Sequence, residues 1–204
     1  VEGLGAIHGS AADDVWAVGD PAVALHYDGV AWSRVPIDTG GRNPRAVWVA
    51  GRNDAWLVGD GLVMHWDGNT WTSRPIDGVD PLPLLSAVWG SGPTDVWAAS
   101  ATDTGSLYHF DGASWSEVVS WPRAPIFALW GTAADDVWAS GFDTILHFDG
   151  NAWSDTRAIP LGSQYYLYGL GGIAGEVWAV GSAATDPSVD LDGVVLRYRD
   201  GQWD

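Results

Sequence analysis

Asp136-Val137-Trp138-Ala139-Ser140-Gly141 runs on into Ile145-Leu146-His147-Phe148-Asp149-Gly150-Asn151-Ala152-Trp153. Both apolar pieces have the length and the aromatic and β-branched content of strands. Asp-Gly after the second piece signals a tight hairpin, because Gly accepts the positive φ such a turn needs. The first phrase returns as Asp14-Val15-Trp16, Asp54-Ala55-Trp56, Asp95-Val96-Trp97 and Glu176-Val177-Trp178. The five tryptophans are 40, 41, 41 and 40 residues apart. The turn returns as Asp28-Gly29, Asp67-Gly68, Asp111-Gly112 and Asp200-Gly201, followed after two residues by Trp32, Trp71 or Trp115 and, in the last, after one residue by Trp203. A period of this size over a whole chain marks a repeat architecture.

Each unit holds four short apolar segments. In the third they are Leu85–Trp89, Asp95–Ala99, Ser106–Phe110 and Trp115–Val119. No segment sustains a 3.6-residue apolar period, so no helix is expected. Four antiparallel strands per unit of about 41 residues is the pattern of a propeller blade. The expectation is an all-β, five-bladed β-propeller in one domain, residues 1–204, with repeats at roughly 4–40, 41–83, 84–124, 125–163 and 164–204. Blades pack face to face, and indoles at fixed positions suit the wedges between them.

The fourth unit's two phrases resemble the "DVWAVG … LHYDGxxW" repeats of secreted bacterial propeller proteins, which are loosely similar to kelch and Asp-box propellers. The resemblance covers essentially the whole chain and implies the fold. It implies no single function, because such propellers serve as binding platforms, surface modules and occasionally enzymes. A strict Asp-box has a residue between Asp and Gly, whereas here the two are adjacent, so a sialidase-type activity is not carried over.

The chain has no Cys and no Lys, and its nine positive charges are all Arg. With 26 acids, 23 of them Asp, the net charge is −17. Such a surface repels nucleic acid and anionic lipid and attracts cations or basic partners. It also keeps a Trp-rich β protein soluble. No apolar run approaches 20 residues, so no membrane insertion is expected. The chain opens in a strand-like segment at Leu4 and stops one residue past Trp203, so both ends read as cut from a longer chain. An extracellular, cell-surface or periplasmic place is expected, and a monomer if five blades close the ring.

Fourteen of the fifteen tryptophans fall on repeat positions; Trp121 does not. Trp48, Trp89 and Trp130 share a first-strand position with His8 and Leu170, eight residues before the second-strand Trp. His26, His65, His109 and His147 share a third-strand position with Arg197. They are expected to hydrogen-bond a neighbouring strand or the acid before the second-strand Trp, as buried polar groups must. The alternative, a ring of metal ligands, would need blades tens of ångströms apart to share one ion.

The first-to-second-strand and Asp-Gly links have constant length and lie on one face. The opposite face carries variable links: Thr39–Arg45, Asp77–Pro81, Ser120–Pro125, Leu161–Tyr166 and Ser182–Gly193. Variable loops on a rigid scaffold carry binding. The candidate ligand residues there are Trp121, Arg123, Tyr165, Tyr166, Arg42 and Arg45: aromatics stack on sugars or anchor partners, and Arg reads carboxylates. Trp121 and the Tyr pair would otherwise cover the ends of the core. Asp186, Asp190 and Asp192 could supply oxygens to calcium, although the spacing is not that of an EF-hand. No other cofactor is implied.

No catalytic residue is expected. There is no nucleophile elbow, zincin motif or phosphate-binding Gly loop. A glycosidase would need two converging carboxylates, and the first strands supply none. Three readings remain open: a non-catalytic module binding a protein or glycan on the variable face, a multivalent lectin with equivalent sites between blades, and a purely structural repeat.

Overall fold

The computed structural model describes residues 3–122, 124–156, 164–184 and 192–204, with residues 121, 122 and 184 in backbone only. They form five antiparallel four-stranded sheets, each continuous in sequence. Blade one is β1 (Gly3–Ala11), β2 (Asp14–Asp20), β3 (Val23–Tyr27) and β4 (Trp32–Arg34). Blade two is β5 (Pro44–Gly51), β6 (Asp54–Gly59), β7 (Leu62–Trp66) and β8 (Trp71–Ser73). Blade three is β9 (Leu85–Gly92), β10 (Asp95–Ser100), β11 (Thr104–Phe110) and β12 (Trp115–Pro122). Blade four is β13 (Ile126–Ala133), β14 (Asp136–Gly141), β15 (Ile145–Phe148) and β16 (Trp153–Asp155). Blade five is β17 (Gln164–Ile173), β18 (Glu176–Ala184), β19 (Asp192–Arg199) and β20 (Gln202–Trp203). The first strands pack against each other in chain order, β1 on β5, β5 on β9, β9 on β13 and β13 on β17. They line the inside of the arc.

The core lies between blades, and one joint recurs there. The second-strand indole of a blade enters an aromatic pair on the third and fourth strands of the next. Trp16 meets Trp66 and Trp71 with ring centroids 5.0 and 5.1 Å away. Trp56 meets Phe110 and Trp115 at 4.7 and 5.3 Å, and Trp97 meets Phe148 and Trp153 at 5.1 and 5.2 Å. Trp138 meets Tyr198 and Trp203 at 4.7 and 5.8 Å. In each case the fourth-strand indole stands edge-on, the orientation that sets a ring's positive rim against a negative face.

The Gly that closes the repeated phrase has a steric cause. A Cβ on Gly19, Gly59, Gly141 or Gly181 would lie within 1.9 to 2.1 Å of a carbonyl oxygen on the adjacent first strand or just before it. The Asp-Gly turns need Gly for a second reason: φ at Gly29, Gly68, Gly112 and Gly150 lies between 87 and 93°. The Asp of each turn fixes it further. Asp111 Oδ1 accepts the backbone N–H groups of Ala113 and Ser114, both at 2.9 Å, which holds its carboxyl below the ordinary range.

Blade five departs from the expected register. Trp48, Trp89 and Trp130 stand opposite Trp56, Trp97 and Trp138, but the residue opposite Trp178 is Gly171, and Leu170 faces Ala179. The other blades insert a bulge before the first hairpin turn, and β17 runs into its turn without one. A count of eight residues from the Trp therefore lands one place off. The link boundaries also shift. β12 extends through Pro122, so Trp121 lies in a strand opposite Gly105 rather than in a connection. Tyr165 and Tyr166 lie inside β17, and Ser182 pairs with Gly193 across β18 and β19. In each case the ladder continues into residues that the sequence pattern leaves as link, because backbone pairing is indifferent to the side-chain pattern there.

Candidate functional site

The variable face carries a groove of about 710 Å³ at the junction of blades two and three. Its floor is the β8–β9 link. Ile76 of that link is buried, and Val79 and Leu82 pack on the same apolar cluster, so the link is anchored by its own side chains. Gly61 N–H donates to Pro83 O at 3.1 Å, and Asp60 N–H donates to Asn43 O at 3.0 Å. These bonds tie the β6–β7 turn to the links on either side.

Two arginines reach this region and differ in state. Arg45, at the start of β5, forms a two-pronged pair with Asp60 through Nε and Nη2 at 2.8 and 3.0 Å. The Asp60 hydrogen bond holds the Arg45 guanidinium above its ordinary pKa, so it is committed to structure. Arg42 lines the groove, and its guanidinium has no ion-pair partner among the described residues. Asp77 and Asp80 line the same groove. The groove thus offers one uncommitted cation, two carboxylates and a loop backbone, a lining suited to a polar ligand with both hydrogen-bonding signs. It holds no nucleophile paired with a base.

Among the described residues the structure does not gather the candidates into one site. Arg42 lines the groove, and Arg45 touches it only through its pair with Asp60. Tyr165 packs into the core between blades four and five, and Tyr166 packs on Phe142 with ring centroids 4.9 Å apart. Both support the blade-four turn, where Asp143 N–H donates to Tyr165 O at 2.8 Å. Trp121 is in blade three, its side chain outside the described residues, as are Arg123, Asp186 and Asp190. Asp192 is exposed at the start of β19. Among the described residues no group of three or more metal-ligating side chains converges.

The opposite face carries a network that the sequence reading foresaw only in part. His26, His65, His109 and His147 place Nε2 at 2.8, 3.2, 2.6 and 2.9 Å from Asp14, Asp54, Asp95 and Asp136. Each imidazole also lies on the following Trp indole, 4.1 to 4.7 Å between centroids. The missed member is a hydroxyl four residues before the Asp: Ser10, Ser91 and Thr132 donate to Asp14, Asp95 and Asp136. Its signal was present in the sequence, as Ser, Ala, Ser and Thr at that spacing in the first four units. Burial pushes the Asp136 carboxyl up, and hydrogen bonds from Thr132, Trp138 and His147 together outweigh it, so its pKa lies below the ordinary value. This is not a nucleophilic triad. There the hydroxyl faces the imidazole, whereas here hydroxyl and imidazole both bind the carboxylate.

At the inner wall, His8 stands where other blades have Trp. Val49 N–H donates to His8 Nδ1 at 3.0 Å, and burial lowers the ring's pKa. It is a neutral acceptor joining blades one and two.

Solved structures resemble this arrangement over 98% of the chain. YCF48 bound to D1 peptide matches with a TM-score of 0.65 and 17% identity, and the match covers 80% of that chain. An ancestral GH74 enzyme matches at 0.77 and 12%, over 30% of its length. The fold is a β-propeller. The extracellular domain of BT4673 from B. thetaiotaomicron matches at 0.72 and 10%, over 27% of that chain. The chain thus spans most of the YCF48 structure and under a third of the other two. No family model and no curated protein matches the chain. At these identities the likeness concerns the fold alone, and among the described residues no helix of the propeller is long and apolar enough to cross a membrane.

Proposed function

We propose that this propeller is a non-catalytic binding module of a secreted or cell-surface protein, with one ligand site on the variable-loop face. The observation that carries this reading is the groove at blades two and three, built from links that break the repeat and holding the Arg42 guanidinium, which has no ion-pair partner among the described residues. The ligand is a peptide segment with an acidic group for Arg42 and backbone amides for Asp77 and Asp80. That YCF48 was solved with a peptide supports a propeller in this role. The five inner strands contain no Asp or Glu, which argues against a pair of glycosidase carboxylates at the axis. A lectin with equivalent sites is favoured less, because the repeated Trp and His are committed to packing between and within blades.

The test is an array of peptides and glycans probed with the chain and with Arg42→Glu, followed by calorimetry on the strongest hit. The expected result is a peptide bound once per chain and weakened roughly tenfold or more by the charge reversal. Four or five equivalent glycan sites, or hits indifferent to Arg42, would replace this reading with the lectin or the structural one.

A further inference from the structure

The face of constant links carries a cavity of its own, about 380 Å³, at the internal joint of blades four and five. Asp135, Asp136, His147 and Asp149 of blade four line one side, and Gly175 and Tyr198 of blade five line the other. Two local features open it. β17 enters its turn without the bulge that the other first strands insert. Gly175 stands where blades two, three and four carry Asn53, Thr94 and Asp135, so it brings no side chain into the joint.

The carboxylates of this cavity differ in what they have left to give. Asp136 is engaged by Thr132, Trp138 and His147. Asp149 Oδ1 accepts the backbone N–H groups of Ala152 and Asn151, both at 2.9 Å, which hold its carboxyl below the ordinary range. Asp135 has neither a hydrogen bond nor an ion pair among the described residues. The sister joint of blades one and two shows what such a carboxylate binds. Asp13 precedes Asp14 there as Asp135 precedes Asp136, and both pack over the Gly of their own Asp-Gly turn: a Cβ on Gly29 or Gly150 would lie 2.7 or 2.8 Å from Asp13 Cβ or Asp135 Cβ. Arg52, from the first turn of blade two, reaches across that joint and pairs with Asp13 through Nη2. The residue at Arg52's place in blade five is Ala174. The joint of blades four and five therefore keeps the acceptor and lacks the guanidinium.

We propose that this cavity is a docking site for an arginine side chain of a partner protein, its guanidinium pairing with Asp135 across from Tyr198. Arg52 at the sister joint specifies the chemistry of the occupant. A guanidinium forks onto a carboxylate and stacks on an aromatic ring, whereas an ammonium is a point charge with no plane to stack. No three metal-ligating groups converge among the described residues, so the lining suits an organic cation better than an ion that needs six or more oxygens. The volume is near the lower end for small-ligand sites, enough for one long side chain. A net charge of −17 draws a basic partner to the chain. The site is separate from the groove at blades two and three and takes the opposite charge.

Two-dimensional amide NMR of the 204-residue chain, titrated with acetyl-Gly-Arg-Gly-amide, tests this, with the lysine and citrulline peptides as controls. The arginine peptide is expected to shift the amides of Gly150 and Gly175 and the indole N–H of Trp138, and to saturate. The lysine peptide is expected to bind several-fold more weakly, and the citrulline peptide, which keeps the shape and loses the charge, not at all. Asp135→Asn, at an exposed position, is expected to weaken the arginine peptide roughly tenfold. Arg42→Glu is expected to leave it unchanged, so binding that ignores Arg42 and needs Asp135 belongs to this site. Shifts that never saturate, or that spread over the whole acidic surface, would mean diffuse attraction and overturn the proposal. Equal binding by the lysine peptide, or binding indifferent to Asp135→Asn, would overturn it too.

Discussion

Trp97→Ala and Trp178→Ala remove the same side chain from the same strand position in two blades, and only one of those positions has a blade on its far side. Trp97 is 2% exposed, lies on His109 at 4.3 Å and meets both Phe148 and Trp153 of blade four. Trp178 is 39% exposed and has Arg197 over its ring. A tryptophan side chain offers roughly 220 Å², so the extra burial at Trp97 is about 80 Å², worth about 2 kcal/mol at ~25 cal/mol/Å². Truncation of a buried Trp costs about 3–5 kcal/mol in all. The expected losses are therefore about 4 kcal/mol for Trp97→Ala and about 2 kcal/mol for Trp178→Ala. Equilibrium urea unfolding at low protein concentration, followed by circular dichroism and by tryptophan emission, measures both. Agreement of the two probes establishes that one transition is being read. Equal losses at the two positions would refute the reasoning, because they would mean that packing within a blade, rather than between blades, sets the value of these indoles.

Gly141→Ala is expected to cost about 3 kcal/mol by overpacking, since its Cβ would lie 1.9 Å from Pro125 O; Gly92→Ala, with nothing within 4 Å, serves as control in the same unfolding series. His8 is held neutral in the fold, below its ordinary value of 6.5, so its contribution is present above that pH and is lost as pH falls below it. Comparing urea midpoints of wild type and His8→Trp at pH 7.5 and 5.5 is expected to show a smaller acid loss in the variant, and equal losses would remove this role for His8. Asp136 has a lowered pKa, so its stabilisation is present above 3.8 and disappears as pH falls through the folded value. Asp136→Asn should accordingly flatten the acid limb of the stability curve below about pH 4, which thermal melts across that range would reveal.

The strand content, the blade count and the pairing of His with Asp were legible because each rests on local chemistry that repeats every unit. Asp-Gly makes a turn wherever it falls between strands, and an imidazole on the strand next to a carboxylate finds it in each of the first four blades. The hydroxyl of Ser10, Ser91 and Thr132 was equally local and went unread because Ala50 interrupts it in the second unit. The candidate site was legible only as a face. Arg42 and Arg45 stand three residues apart, and nothing in their spacing distinguishes the one held by Asp60 from the one left open. Tyr165 and Tyr166 look like loop aromatics, yet the ladder of β17 reaches past them.

Sequence alone determined a ruler of five tryptophans and, through it, five sheets and the wedges between them, because every blade solves the same local packing problem. Only the tertiary structure decided how deeply each of those tryptophans is buried. Trp178 repeats the phrase of the other four, and its burial depends on whether a sixth face lies against it. That is a matter of how blades rotate about the axis, a long-range sum of small strand twists that no residue encodes by itself. The same long-range geometry brings the Asp60 turn against the β8–β9 link to form the groove.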